Sequence, residues 1–431
     1  MNLVTYLLKS RGPVNAARRL PTIASRFGIS CDKMDRALNG YVDLAETVGT
    51  APSLAVTGNL VERYPHVFQR LAERGAELAI HGYVHTDYAS LPLDRQREDL
   101  GRTKAAFEQI GIDVAGFRGP YLRWNDDSVT AAKDIGLTYG SNRAVAWEAL
   151  PDRMRHSEAM RVYEKGLSLY GAKASREMQS LPAIVNGLLD LPASLPDDEA
   201  LVDRLRLSPR ERADTWCAVL DQVYERGEMY VFILHHERFQ FCGRALAEML
   251  SRTRREPAVW AATMREIAAW WTERSAHRLS VEKAEGGKYR IVAPNDARYT
   301  VLARNVDAGE AFKPWYGWYR AAEAAADLVV GSEKAPAVGL TEDAPAALEE
   351  FLVSEGFAVR RNDLGDCAVV LDGPSSFGEA DKRRTLDQIE AGDAPLVRLW
   401  RWPNGARCAL SLSGDVDSMN IVDFLRRPLE V

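Results

Sequence analysis

Short apolar runs alternate with longer amphipathic stretches along most of this chain. Residues 52–58, 76–80, 114–117, 136–141, 187–192 and 228–236 read as strands, each bounded by Gly, Pro or polar residues. Between them, apolar positions recur at helical spacing. Residues 33–48 do so through Met34, Leu38, Tyr41, Val42 and Leu44. Asn59 caps a helix through Leu60, Val61, Phe68 and Leu71, and a helix over 93–110 is stopped by Gly111. Asp126 or Asp127 caps a helix that ends at Ile135, and further helices are expected over 209–225, 243–251 and 261–273. Residues 1–30 predict a lead-in with a basic helix, and 145–185 an irregular insertion with some helix. Strand and helix in alternation imply a parallel sheet with helical crossovers, with chemistry at the C-terminal strand ends. The six strands between 50 and 240 leave a closed barrel short by at least one.

The pattern changes near residue 277. Residues 279–283, 288–292 and 299–303 alternate as strands, with turns at Glu285-Gly286-Gly287 and Asn295-Asp296, a small antiparallel β unit. The aromatic stretch Trp315-Tyr316-Gly317-Trp318-Tyr319 suits either sugar stacking or a core or interface. Residues 337–340, 345–356, 367–371, 382–391 and 396–400 read as strand, helix, strand, helix, strand, a small α/β unit without a phosphate-binding glycine motif. The expected division is 1–276 for the main barrel, 277–306 for the β unit, 307–400 for the α/β unit, and 401–431 for a strand and helix returning to the barrel. On this reading residues 277–395 act as a tether.

Composition narrows the class. The 431 residues suffice for two or three domains, and the fractions of 46% hydrophobic and 27% charged are those of an ordinary globular protein. A net charge of −6 suggests no polyanion, and the cluster Arg252, Arg254 and Arg255 reads as a solvated helix end, so no nucleic-acid partner is expected. The five cysteines are odd in number, widely spaced and without Cys-x-x-Cys, which fits a reducing compartment. The apolar stretch 1–8 is followed, not preceded, by Lys9, Arg11, Arg18 and Arg19, the wrong order for a signal peptide. No apolar run reaches the roughly 18 residues of a membrane span. These features together predict a cytoplasmic protein.

Four segments carry candidate chemistry. His81 and His85 follow the apolar run 76–80, at a spacing that puts both imidazoles on one face of a helical turn. Arg118-Gly119-Pro120-Tyr121 follows the strand 114–117, and Leu234-His235 closes the strand 228–236. Near the far end, the apolar run 408–414 leads into Asp415-Val416-Asp417. Together these resemble the motifs of the polysaccharide deacetylases of the NodB homology family.

The resemblance implies an α/β fold, a distorted (β/α)7 barrel holding one divalent metal, usually zinc, by Asp417, His81 and His85. It implies Asp415 as general base, with Arg118 keeping that carboxylate ionised. The backbone N–H of Tyr121 would serve the oxyanion, with Pro120 beside it at the substrate, and His235 would protonate the leaving nitrogen. The order departs from the family, whose aspartate motif precedes the histidine pair. Asp32 and Asp35 lie near that place, but no apolar strand leads into them. A circularly permuted barrel is therefore expected, with 408–417 returning beside 53–57. The same strand suits completion of a neighbour's barrel, in a homo-oligomer, or the start of a second domain.

Other readings stand beside these. Arg118 suits a structural salt bridge, and His235 a core histidine with His236 acting in its place. Asp190 suits either orientation of a histidine or a strand-end cap. Trp124 suits a substrate groove and packing equally. The function expected is metal-dependent removal of N-acetyl groups from an N-acetylated sugar or glycan intermediate. The alternatives are a C–N hydrolase of small cyclic amides and a non-catalytic sugar-binding or scaffold protein.

Overall fold

The computed structural model describes residues 26–374 and 376–430. The basic helix expected within 1–30 falls, save for its last residues, outside the described residues. The protein is a mixed α/β structure built on one large sheet and four smaller ones.

Seven strands of the large sheet position the site: β1 Ser53–Val56, β2 Glu77–Ile80, β3 Gly116–Phe117, β4 Tyr139–Gly140, β5 Leu188–Asp190, β6 Met229–His235 and β7 Cys408–Val416. Their order is β6-β7-β1-β2-β3-β4-β5, and every pair along it is parallel. The six strands expected from the first 240 residues are all present, and β7 fills the gap between β6 and β1. Its partners belong to the same chain: Asp415 lies opposite His235 on one side and Ala55 on the other. Ala183–Val185 adds an antiparallel edge to β5, and Val259–Ala261 pairs with the first residues of β7.

Alternation decides what each face of these strands carries. Leu54, Val56, Leu78, Ile80, Tyr230, Phe232, Leu234, Leu410, Leu412 and Val416 point into one hydrophobic core under the helices. The alternate residues, among them Ser53, Glu77, His81, Ser413 and Asp415, share the other face. The sheet is curled. β3 and β7 stand three strands apart, about 14 Å in a flat sheet, yet the Arg118 guanidinium just after β3 lies 2.9 Å from Asp415 on β7.

Several local expectations are corrected. The helix expected from Leu60 to Leu71 is two, Gly58–Arg63 and Pro65–Glu73, because Pro65 lacks the N–H needed to continue the first. Thr57, not Asn59, is the N-cap residue. Asn125, not Asp126 or Asp127, caps the helix Asp126–Asp134, in a capping box with Ser128. The two histidines do not share a helical turn. Residues 81–87 form a bend in which Gly82 adopts φ +78°, and a Cβ there would lie 2.9 Å from the Tyr88 ring. Asp32 and Asp35 begin the outer helix Asp32–Glu46, where Asp35 pairs with Arg70 at 3.0 Å.

The region after 277 is not divided at 306. The strand Thr300–Arg304 pairs antiparallel with Tyr319–Glu323 on one side and with Leu396–Leu399 on the other. The aromatic stretch forms a hairpin, with Tyr316 opposite Tyr319. Ala335–Leu340 is the centre of a parallel sheet with Val359–Arg360 and Cys367–Leu371. These units pack on the large sheet rather than merely spanning a distance. One buried cluster joins Val231, Trp271, Tyr289, Val301, Val330 and Trp402.

Candidate active site

At the C-terminal ends of β1, β2, β6 and β7, the inner-face residues converge. His81 directly follows β2 and is fully buried, and its backbone N–H donates to Val56 O at 3.0 Å. Its Nδ1–H donates to the Arg118 carbonyl at 2.8 Å. That bond fixes the tautomer and turns the Nε2 lone pair inward, as a carbonyl bonded to the far nitrogen does for a metal-bound histidine. Nε2 is buried, has no hydrogen-bond partner among the described residues, and lies 3.9 Å from Asp415 Oδ2. Burial holds the His81 pKa below its ordinary value despite Asp415 and Asp417.

His85 reaches the same place through the bend. Its ring centroid is 5.1 Å from that of His81 and 4.2 Å from that of Tyr121, edge-on. Its Nε2 is 3.4 Å from Asp417 Oδ2. Burial, then the Arg427 charge, push its pKa well down. Both imidazoles are therefore neutral at neutral pH.

Asp415 accepts from Arg118 Nη1 at 2.9 Å. Burial alone would raise its pKa. The charge and hydrogen bond of Arg118, with the His235 charge, outweigh burial, and the net direction is down. Arg118 is fully buried and also donates to Ser413 Oγ and Ser141 Oγ, each at 2.9 Å, so it presents one fixed face to the carboxylate. Asp417 lies just past β7, with Oδ2 at 2.9 Å from Nη1 of Arg427 on the terminal helix Ile421–Glu430.

His235 closes β6. Its Nδ1 and its backbone N–H both face Asp198 Oδ1, at 2.9 and 3.1 Å. Burial lowers its pKa, but the Asp198 charge and hydrogen bond outweigh it and raise the value to about 10. Asp198 is fully buried, with Arg238 Nη1 3.7 Å from its other oxygen. Sequence reading missed Asp198. The acidic run Asp197-Asp198-Glu199 looks solvated, but the apolar strand Ala193–Leu195 that leads into it was the available signal.

Asp190, expected to orient a histidine or cap a strand, does the second: at the end of β5 it accepts from the Asn142 N–H just past β4, and from Arg143 Nε, each at 2.9 Å. His236 does not stand in for His235. It points to the helix side, with its ring 4.9 Å from Tyr41, neither ring nitrogen hydrogen-bonded among the described residues, and a pKa lowered to about 4, chiefly by burial.

Pro120 is buried, and Tyr121 and Leu122 after it adopt φ +61° and +52°. Two successive non-glycine residues in the left-handed region are costly, and such strain gathers at functional sites. Trp124 packs against the core and also lines a cavity of about 420 Å³, with Leu122, Arg123, Tyr170 and Met178.

The donor chemistry fits a divalent cation: two neutral buried imidazoles, one with an unpartnered inward nitrogen, beside two carboxylates. The structure shows a second acid–imidazole group. The ligand atoms of Asp197, Asp198 and His235 all lie within 4.8 Å of one another, which those of His81, His85 and Asp417 do not, and the Arg427 guanidinium takes up an Asp417 oxygen. Among the described residues, no helix is long and apolar enough to cross a membrane.

Fold and site thus define an α/β protein with a buried His–Asp–Arg cluster at its strand ends. Residues 45–140 match the family model "Polysaccharide deacetylase". A peptidoglycan deacetylase-like protein of Gibberella zeae is 28% identical over 102 residues, 23% of this chain and 30% of that protein. A bifunctional xylanase/deacetylase of Pseudobutyrivibrio xylanivorans is 28% identical over 100 residues, 23% of this chain and 16% of that protein. The chain therefore matches less than a third of either relative's length. A solved structure from Mycobacterium smegmatis, described as that of a polysaccharide deacetylase, aligns with a TM-score of 0.44 at 20% identity, covering 61% of this chain and 84% of that one.

Proposed function

We propose that this protein removes N-acetyl groups from an N-acetylated sugar or glycan. One observation carries the reading: β7, remote in sequence, brings Asp415 and Asp417 to the histidines and arginine of the segment matched by the deacetylase family model.

His81, His85 and Asp417 are the residues that would hold a divalent ion, two imidazoles and a carboxylate being a donor set that suits zinc. When bound, that ion supplies a Lewis acid and a more acidic water. Asp415, kept ionised by Arg118, takes a proton from the attacking water. The Tyr121 N–H donates to the oxyanion that develops on the acetyl carbonyl. His235 is cationic at neutral pH and is oriented by Asp198, so it can deliver a proton to the leaving nitrogen as the C–N bond breaks. The products are acetate and a free amine, and the proton count closes. Trp124 and Pro120 border the substrate on this reading, and the 420 Å³ cavity beside Trp124 has room for a sugar ring.

The order of the motifs is read as a circular permutation, supported by the seat of β7 between β6 and β1 of its own sheet. The test is acetate release from N-acetylated chito-oligosaccharides by protein supplied with divalent metal. Asp415→Asn should reduce the rate by about 10²–10⁴-fold, the usual worth of a general base. Undiminished turnover in that variant, or no acetate from any N-acetylated sugar, overturns the proposal.

A further inference from the structure

A second cavity, of about 350 Å³, opens at the other end of the large sheet, between it and the appended units. Its walls include Arg226, Arg383 and Arg407 with Tyr316, Trp318 and Trp400. Arg226 ends the helix Pro209–Arg226 just before β6, and Arg407 immediately precedes β7. The active-site residues lie at the opposite ends of those strands. The seven residues of β6 alone separate the two places by roughly 20 Å at about 3.3 Å per residue.

Charge in this cavity is unevenly met. Glu228 is taken by Arg383 at 2.6 Å, and Glu390 by Arg304 and Arg398 at 3.0 and 3.1 Å. Glu225 and Asp387, the other carboxylates of the lining, are exposed. Arg226 and Arg407 form no ion pair among the described residues. They donate instead to the carbonyls of Ser175 and Glu225. Arg407 is 8% exposed and sits 4.2 Å from the Tyr316 ring centroid and 5.1 Å from that of Trp400. Burial first, then Arg401, lowers the Arg407 pKa to about 10, and burial followed by Arg383 lowers that of Arg226. Arg226 is half-buried, whereas the Arg407 guanidinium is buried without a carboxylate partner among the described residues, which is costly unless a counter-charge arrives. At the rim, Trp318 is 85% exposed at the tip of the hairpin that follows Gly317. A bare indole over a cationic cavity offers a flat apolar face beside an anion site.

We propose that this cavity binds an anionic sugar, with the sugar ring on Trp318 and its phosphate or carboxylate group held by Arg226, Arg383 and Arg407. The site is separate from the proposed catalytic centre and does not depend on it.

The test is calorimetric titration of the full chain with N-acetylglucosamine 1-phosphate, glucuronate, N-acetylglucosamine and inorganic phosphate, repeated on Trp318→Ala and Arg383→Ala. At least one anionic sugar should bind saturably. Either substitution should weaken it at least tenfold, and the neutral sugar and inorganic phosphate should each bind at least tenfold more weakly. Whichever of the phosphorylated and carboxylated sugars binds more tightly identifies the anion. Acetate release from neutral chito-oligosaccharides, where present, should be unchanged in both variants. No saturable binding of either anionic sugar, affinity within twofold of wild type in both variants, or phosphate binding as tightly as the sugars would overturn the proposal.

Discussion

Arg118 and Asp198 set the protonation states on which the proposed chemistry rests. Arg118 is wholly buried against Asp415, so removing it leaves a buried carboxylate without its cation. Arg118→Ala should cost about 3–5 kcal/mol of stability, read from the denaturant midpoint, and should move the acid limb of the pH–rate profile upward as the Asp415 pKa rises. Asp198 acts on His235 in the opposite sense. The folded pKa of His235 lies above its unfolded value of about 6.5. The stability from this pair is therefore complete below about 6.5 and is lost as pH rises through about 10. In Asp198→Asn the His235 titration, followed by NMR, should fall well below 10. An unchanged titration would remove Asp198 from its role. Five residues of the candidate site are legible in the sequence, because each follows or closes an apolar run: His81, Arg118, His235, Asp415 and Asp417. Asp198 was hidden in an acidic run, and Arg427 in an amphipathic terminal helix whose inner face no local pattern reveals.

β7 carries the most information among the elements. Its nine residues are all buried, and its alternation sends Leu410, Leu412 and Val416 to the helix side and Ser413 and Asp415 to the site. Gly414 lies opposite Leu234 of β6. A Cβ there would meet Leu234 O at 2.6 Å and His236 Cε1 at 2.3 Å. Gly414→Ala should therefore destabilise the fold by about 1–3 kcal/mol, measured by chemical denaturation, since the backbone oxygen cannot move aside cheaply. The parallel strands were legible as apolar runs, but their lengths were not. β3 and β4 make only two residues of ladder each. Leu396–Leu399 was read as a strand of the α/β unit. It pairs with Thr300–Arg304, a contact almost a hundred residues away in sequence that no local signal announces.

The appended units and the large sheet are stitched together by buried polar groups at the scale of the whole molecule. Arg274 donates to the carbonyls of Ser354, Leu399 and Trp400 at 2.7, 3.0 and 2.9 Å, and Glu355 is clasped by Arg398 and Arg401. Glu355→Gln should lower Tm markedly, by the equivalent of about 3–5 kcal/mol, because two buried guanidinium groups lose their common carboxylate. The proposed chemistry requires β7 to complete a metal site with the histidine pair. Metal content after loading and dialysis, compared between wild type, Asp417→Ala, His85→Ala and Asp197→Asn, decides this. One divalent ion per chain is expected in wild type and in Asp197→Asn, with its loss in Asp417→Ala and His85→Ala. No bound ion, or an ion lost only from Asp197→Asn, would refute the proposed site.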